Sequence, residues 1–414
     1  MQRSGGAAIH MQQVYDRDLI SKKVSFLVGS AELVSNEEPV QAIAPFSSKI
    51  ISFLNDVSRI IMKDKQARSY PDVVTFAFWI RRSSLSALKD RYSIGEDRIC
   101  LGRGTVFHIA PSNVPVNFAY SLAIGLMTGN ANIVRVPSKD SPQAEIIISA
   151  LNEALRENGE LRRYAVLVRY ERDSQINDYF SSMSDVRVIW GGDQTIAEIR
   201  RSPLPPRSFD VTFADRFSAA VIDDSYLERE DKERIAEQFY NDTFLSDQNA
   251  CTSPRVVIWT GDRSDEAREE FWSVFHSYAK KRYHLQPAQT VSKLTSSFIA
   301  AAVLGDVHIL QSEDHLITRV QVGSLSRELI DLRENSGFFF EYVCNDLMEM
   351  KELCDDKRLQ TIGYIGCRSR LMELASSGIR GIDRIVPIGR TMDLDLYWDG
   401  YDLFASLTRN IYII

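Results

Sequence analysis

The spacing of hydrophobic residues changes along the chain, and each spacing predicts a different element. Ile50, Leu54, Val57 and Ile61 recur at helical intervals, which predicts a helix opening near residue 50. A second helix is predicted after Pro71, with Val73, Ala77, Ile80 and Leu88 as its buried candidates, because proline suits a first helical turn. From Gly104 the pattern becomes short apolar runs bounded by Gly, Pro and Asn. Residues 104–110 read as a buried strand, Pro111-Ser112-Asn113-Val114-Pro115 as a turn, and 118–127 as a helix rich in small residues that Gly129-Asn130 stops. A strand over 132–136 follows. A helix then opens at Ser141-Pro142, buries Ile147, Ala150, Leu151 and Ala154, and ends by Gly159. Residues 164–170 and 186–190 read as further strands, and Gly191-Gly192 leads into a helix over 195–201.

Strands alternating with helices in this way predict an α/β fold with a parallel sheet. Right-handed crossovers place the loops after its strands on one edge, where ligands bind. The PLPPR stretch at 203–207 is a stiff connector, and 217–222 reads as one more strand. Beyond Asp223 a second α/β unit is expected. It comprises a helix carrying Ile235, Phe239 and Phe244, a loop at 246–254, a strand at 255–259, a helix at 265–281, and later a strand at 361–366 with a helix around Leu371. The expected division is therefore 1–223, 224–390 and a C-terminal segment 391–414 that returns to the first domain or lies at a subunit interface.

Composition narrows the classes of function. Of the 414 residues, 44% are apolar, enough for a large core and for more than one domain. Lys plus Arg number 49 and Asp plus Glu 56, so the net charge is −7, which argues against general affinity for nucleic acid or anionic membranes. No apolar run approaches the ~20 residues that span a bilayer. The N-terminal stretch MQRSGGAAIHMQQVYDRD lacks the apolar core of a signal peptide. Five cysteines without a CxxC pair, and six histidines without an HExxH motif, point to a reduced, cytoplasmic, metal-free protein.

One cysteine differs from the rest. Cys251 sits in Ser246-Asp247-Gln248-Asn249-Ala250-Cys251-Thr252-Ser253-Pro254-Arg255, among short polar residues between a helix and a strand. Cys100, Cys344, Cys354 and Cys367 have ordinary neighbours and read as structural. A nucleophilic thiol must ionise from a pKa of about 8.5, so backbone N–H groups or a cation should lower it. Arg255 is in reach along the sequence, although its side chain could equally face solvent.

Four segments, HIAPSNVPVNF, GLMTGNANIVRVPSKDSP, VIWGGDQ and SDQNACTSPRVV, occur in an order that resembles the aldehyde dehydrogenase superfamily, and within it the acyl-CoA reductase (LuxC-like) branch. The closing stretch GRTMDLDLYWDGYDLFASLTR is similar to that branch's C-terminus. The resemblance covers roughly residues 95 to 414. It implies an aldehyde-dehydrogenase-like α/β architecture, with a Rossmann-like cofactor domain and an α/β catalytic domain carrying the thiol. It also implies a homo-oligomer.

The resemblance places the catalytic thiol at Cys251 and an oxyanion-holding carboxamide at Asn113, a role worth ~3 kcal/mol where a donor meets a tetrahedral intermediate. Without it, Asn113 reads equally as a turn residue. Gly191 and Gly192 fall on the cofactor-phosphate turn. Arg135, Ser138 and Lys139 fall where the adenosine ribose is read, and a cation there favours NADPH over NADH. Glu341 falls on a ribose-binding position, although a Glu closing an aromatic strand is as readily a surface residue. The implied activity is reduction of an acyl-CoA or acyl-protein thioester to an aldehyde through an acyl-cysteine, with an acyl-activating synthetase as partner.

Two departures matter. The hydrolytic branch has a general-base Glu where Thr212-Phe213-Ala214-Asp215 stands here, and Gln248 precedes Cys251 by three residues instead of two. The missing Glu suits acyl exchange between thiols, where water is unwanted, and the spacing of Gln248 suits the acyl-CoA reductase branch. Asp215 as a substitute base keeps an NAD(P)-dependent aldehyde dehydrogenase open, and an inactive nucleotide-binding scaffold is the further alternative.

Overall fold

The computed structural model describes residues 17–35, 39–92, 98–227, 229–261 and 265–413. The reading of the N-terminal stretch falls largely on residues 1–16, outside that set. The chain forms two compact units, one of Met1–Thr212 with Leu407–Ile414, the other of Phe213–Ser406.

The first unit holds strands β1 (Ser25–Val28), β2 (Arg98–Gly102), β3 (Thr105–Ile109), β4 (Ala131–Arg135), β5 (Ala165–Arg169), β6 (Val186–Trp190) and β7 (Phe209–Phe213). Six of them form a sheet in the order β1-β5-β4-β3-β6-β7. The pairs β3–β4, β4–β5 and β3–β6 are parallel, while β1 closes one edge antiparallel to β5. The chain runs outward from β3 through β4 to β5 and then returns to β6 on the other side of β3. That reversal is a topological switch point at the carboxyl ends of β3 and β6, the place where open α/β sheets bind ligands.

The continuous burial of β4, β5 and β6 explains their unbroken apolar sequences, since a parallel sheet is covered on both faces. The helix Ser48–Lys63 is capped by Ser47, whose hydroxyl accepts from Ile50 N, and it buries Ile50, Phe53, Leu54, Val57 and Ile61. Gly125, inside helix Asn117–Met127, is required by close approach, because a Cβ there would stand 1.7 Å from Asn132 Oδ1 on β4. Asn132 Oδ1 also meets His108 Nε2 at 3.0 Å, and His108 Nδ1 meets Ser121 Oγ at 2.7 Å. His108 is therefore a satisfied core residue. The C-terminal strand Thr408–Tyr412 pairs antiparallel with β2, which brings the chain end back to this unit.

The second unit is built on β8 (Phe217–Asp223), β9 (Pro254–Thr260), β10 (Val307–Gln311), β11 (Thr318–Val322), β12 (Phe338–Val343), β13 (Leu359–Ile365) and β14 (Arg384–Pro387). Their order is β10-β11-β12-β9-β8-β13-β14, parallel from β11 to β14, with β10 as an antiparallel edge. One face packs on an aromatic cluster in which Phe239, Phe271, Trp272 and Phe275 meet Trp259 and Phe339. The other face is mainly aliphatic, with Val221, Ile258, Leu353, Ile362 and Leu371 fully buried. Because β8 pairs in parallel with both β9 and β13, the division falls between Thr212 and Phe213, not at residue 223 as the sequence suggested. The strand was recognisable, but nothing local in it says which sheet it joins. Among the described residues, no helix is long and apolar enough to cross a membrane.

Candidate active site

The loop that carries Cys251 is shaped by a strained turn and held by two side chains. Helix Lys232–Asp242 passes into the short turn Phe244–Ser246, and the next two residues, Asp247 and Gln248, both take φ of +52°. Left-handed backbone at non-glycine residues costs ~1–2 kcal/mol each and persists only where the surroundings impose it.

The surroundings here are specific. The Asp247 carboxylate accepts from the Tyr283 hydroxyl, from Ser336 Oγ at 2.8 Å and from Gln289 Nε2 at 3.1 Å. Gln248 is fully buried with all four of its amide bonds made. Its Oε1 accepts from Gly337 N (2.7 Å) and Phe338 N (3.2 Å), and its Nε2 donates to Pro254 O (3.1 Å) and Phe338 O (3.2 Å). Gln248 thus ties the thiol loop to the start of β12. Ser218 Oγ at the start of β8 donates to Cys251 O at 2.7 Å.

Cys251 itself is half-buried, whereas the other four cysteines are buried. Its electrostatic surroundings are polar: the Gln360 carboxamide and the Arg216 guanidinium favour the thiolate, and the Asp399 carboxylate opposes it. Burial first, and the Asp399 carboxylate second, push the thiol up to about 12, against the lowering effects of Gln360, its own backbone N–H and Arg216. The sequence led us to expect a lowered thiol; desolvation reverses the sign, so Cys251 rests as a neutral thiol.

Arg255 points inward, not to solvent. Its guanidinium donates to Gln248 O at 2.6 Å, and burial brings it down to about 10. Asp215, the sequence's substitute base, is half exposed and ion-paired with Arg333. Asn335 Nδ2 bonds Asn249 Oδ1 at 3.0 Å, so the residues before β12 also border the loop.

Gln360 and Asp399 were not identified from the sequence. Asp399 lies at the tip of a hairpin whose strands are Tyr397–Trp398 and Tyr401–Asp402, and Gln360 is the second residue of β13. The inward aim of the Asp399 carboxylate had no local signature in the sequence.

In the first unit, the predicted residues gather at one sheet edge. Asn113 follows β3, Arg135 ends β4 with Ser138 and Lys139 beyond it, and Gly191-Gly192 follow β6, three adjacent strands. Asn113, Ser138, Lys139 and Gly192 are exposed. Arg135 is engaged, with its guanidinium 4.5 Å from the centre of the Tyr170 ring and donating to Tyr170 O at 3.3 Å. A Cβ on Gly192 would meet nothing within 4 Å, so the turn is open on that side.

Glu341 does not fit the role suggested for it. It is 2% exposed, Trp259 Nε1 and Trp272 Nε1 both donate to Oε1 at 2.7 Å, and Gln321 Nε2 donates to Oε2 at 3.2 Å. Its carboxylate is consumed by the aromatic core, because position 341 faces the indoles of β9 and helix Asp265–Lys280.

This pair of parallel α/β units, one carrying a polar thiol loop, defines the aldehyde-dehydrogenase fold. The chain is similar to 1-pyrroline-5-carboxylate dehydrogenase of Thermus thermophilus, with a TM-score of 0.60 at 14% identity over 88% of this chain and 80% of that one. It is also similar to the indole-3-acetaldehyde dehydrogenase AldA of P. syringae, with a TM-score of 0.62 at 13% identity over 90% and 85%.

Within that fold, the chain belongs to the acyl-CoA reductase (LuxC) family, whose model matches residues 38–309. Long-chain acyl-protein thioester reductases of Aliivibrio fischeri and Vibrio harveyi are each 22% identical to it, over 299 and 296 residues respectively, covering 69% of this chain in each case. The match spans 58% and 59% of those relatives' lengths.

Proposed function

We propose that this chain reduces a long-chain acyl thioester to an aldehyde, with Cys251 as the acyl-accepting nucleophile. The observation that carries this reading is the thiol loop: a half-buried cysteine among polar groups, on a strained turn that Gln248 and Asp247 hold, in a chain of the acyl-CoA reductase family. Cys251 attacks the thioester carbonyl, the Cys251–acyl bond forms, the donor's C–S bond breaks, and the sulfur proton ends on the departing thiol. Exchange between thiols is nearly isoenergetic, so the protein's task is to ionise and orient the sulfur.

Asn113 is the carboxamide we assign to the developing oxyanion. The switch point at the ends of β3 and β6 suits a dinucleotide. The Gly191-Gly192 turn, open beside Gly192, leaves space for a phosphate, and exposed Lys139, with Ser138, favours a 2′-phosphate and hence NADPH over NADH. Arg135, held on Tyr170, shapes that wall instead of meeting the ligand. When bound, the dinucleotide supplies the hydride that reduces the acyl carbon.

The relatives are named for acyl-protein thioesters, which brings acyl-protein beside acyl-CoA as donor and implies an acyl-activating partner. The ion pair of Asp215 with Arg333 weakens the competing hydrolytic dehydrogenase, which needs that carboxylate for water.

The decisive experiment incubates the protein with long-chain acyl-CoA or an acyl-protein thioester and NADPH or NADH, and follows cofactor oxidation, trapped aldehyde and acylated protein. Cys251→Ser is expected to abolish thioester-linked acylation and aldehyde formation while leaving dinucleotide affinity within about twofold. Aldehyde formation by Cys251→Ser at the wild-type rate overturns the reading. Lys139→Ala is expected to raise KM for NADPH about tenfold and leave KM for NADH unchanged.

A further inference from the structure

Ser218 is the polar residue inside the apolar run 217–222, and it is fully buried. Its strand, β8, is flanked in parallel by β9 and β13, and both neighbours break register at this residue. On the β9 side Ser218 pairs with Pro254 and Ala219 with Val256, so Arg255 is an extra residue. On the β13 side Phe217 pairs with Leu359 and Ser218 with Thr361, so Gln360 is extra. Bulges are rare between parallel strands, and they re-aim side chains where they occur. Two of them meet across Ser218.

Both extra residues turn inward. Arg255 donates from Nη2 to Gln248 O at 2.6 Å, and Gln360, also fully buried, donates from Nε2 to Asp399 Oδ1. Between them the Ser218 hydroxyl has two partners, Thr361 N at 3.2 Å and Cys251 O at 2.7 Å. An amide N–H only donates and a carbonyl only accepts. Thr361 therefore takes a lone pair of the hydroxyl, and its single proton is committed to Cys251 O. The thiol loop has other ties: Asp247 and Gln248 hold its first half, and Thr252 Oγ1 donates to Met392 Sδ at 3.1 Å just beyond the cysteine. Of these ties, the Ser218 bond is the one made to the cysteine's own peptide group.

We propose that Ser218, seated between the two bulges, is the positioning residue of Cys251: its hydroxyl fixes the cysteine carbonyl, and through it the direction in which the main chain presents the thiol. This deepens the acyl-transfer reading and rests on Cys251 being the nucleophile assigned above. A polar side chain fully buried in a parallel sheet is costly unless its bonds are made. Here both bonds are made, one to the interrupted ladder of β13 and one to the thiol loop. A nucleophile that must meet a thioester carbonyl gains rate from orientation, and a misplacement of about 1 Å costs about 100-fold.

The test is single-turnover acylation of the full-length protein by a long-chain acyl-CoA, without dinucleotide, beside alkylation of Cys251 by iodoacetamide at one fixed pH. Both are read by mass spectrometry. Ser218→Ala removes the hydroxyl, and Ser218→Thr keeps it on a residue that suits a strand. In Ser218→Ala the rate constant of acyl-Cys251 formation at saturating thioester is expected to fall about tenfold, with the final acyl stoichiometry within about twofold of wild type. Alkylation needs exposure more than orientation, so it is expected to rise roughly threefold or more as the loop is released. Ser218→Thr is expected to return both rates toward wild type. A merely structural role lowers the final stoichiometry, through the folded fraction, and leaves the rate constant of the folded protein unchanged. That result overturns the proposal, as does Ser218→Thr behaving like Ser218→Ala. A wild type that neither acyl-CoA nor an acyl-protein thioester labels sinks the reductase reading alone. The alkylation rates of the three forms then decide the role of Ser218, and equal rates overturn it.

Discussion

At the scale of single residues, the polar loop made Cys251 legible, and its surroundings explain why other assignments were harder. Gln248 was noticed for its spacing from the cysteine, but its physical role is a buried clamp with four hydrogen bonds. Gln248→Ala removes the four bonds its buried carboxamide makes with Gly337 N, Phe338 N, Pro254 O and Phe338 O. At roughly 1–3 kcal/mol for each orphaned group, partly offset by water entering the cavity, a loss of about 3 kcal/mol is expected in denaturant unfolding. The same variant should release the left-handed turn, so acylation should slow more than dinucleotide binding weakens; unchanged stability would show that the clamp is not structural. Glu341 illustrates the opposite limit. The alternation of a Phe-Phe-Phe-Glu strand does not tell which neighbours face the carboxylate, and two indole donors 69 and 82 positions away decide it. The burial of Asp399 at the tip of a hairpin, hydrogen-bonded to Gln360, has no sequence-local signal at all.

At the scale of elements, the apolar runs located the strands well, because a parallel sheet buried on both faces leaves little room for polar residues. Strand β3 fell inside the run read at 104–110, and β6 spans Val186–Trp190 as read. The helix after Pro71 proved to be two, Pro71–Trp79 and Arg82–Arg91, since Ile80 leaves helical geometry and Arg81 is extended. Small residues in helix Asn117–Met127 were visible, but not their reason. Gly125→Ala in an exposed helix would add ~1 kcal/mol of stability by propensity. Here the added methyl meets Asn132 Oδ1 at 1.7 Å, and His108 Nε2 stands only 3.1 Å away. Overpacking of this kind costs roughly 1–3 kcal/mol, so the sign reverses. Calorimetry should find Gly125→Ala less stable than wild type, with cysteine alkylation at Cys251 unaffected. A stabilised variant would mean that β4 yields readily at this contact.

At the scale of the whole molecule, the two units differ in the buried groups that titrate, and this gives them opposite responses to pH. In the second unit, Asp242 and Asp399 are held up to about 7, chiefly by burial, far above the ~4 of a free carboxyl. The folded state keeps these protons to near neutrality while the unfolded chain releases them near pH 4. Between pH 4 and 7 the unfolded state therefore binds fewer protons, and stability falls as pH rises. In the first unit, burial brings His108 down to about 4 from the usual ~6.5. There the unfolded chain takes up a proton that the folded one refuses, so stability is lost as pH falls from 6.5 toward 4. Between pH 5 and 6.5, native-state hydrogen exchange, corrected for intrinsic rates, should show amides of β9 and β13 gaining protection on acidification while those of β3 and β4 lose it. Asp242→Asn should flatten the first slope, at the cost of one acceptor for Gly389 N or Thr391 N. Slopes of equal sign in the two units would mean that carboxyls and imidazole outside these three positions dominate the proton balance.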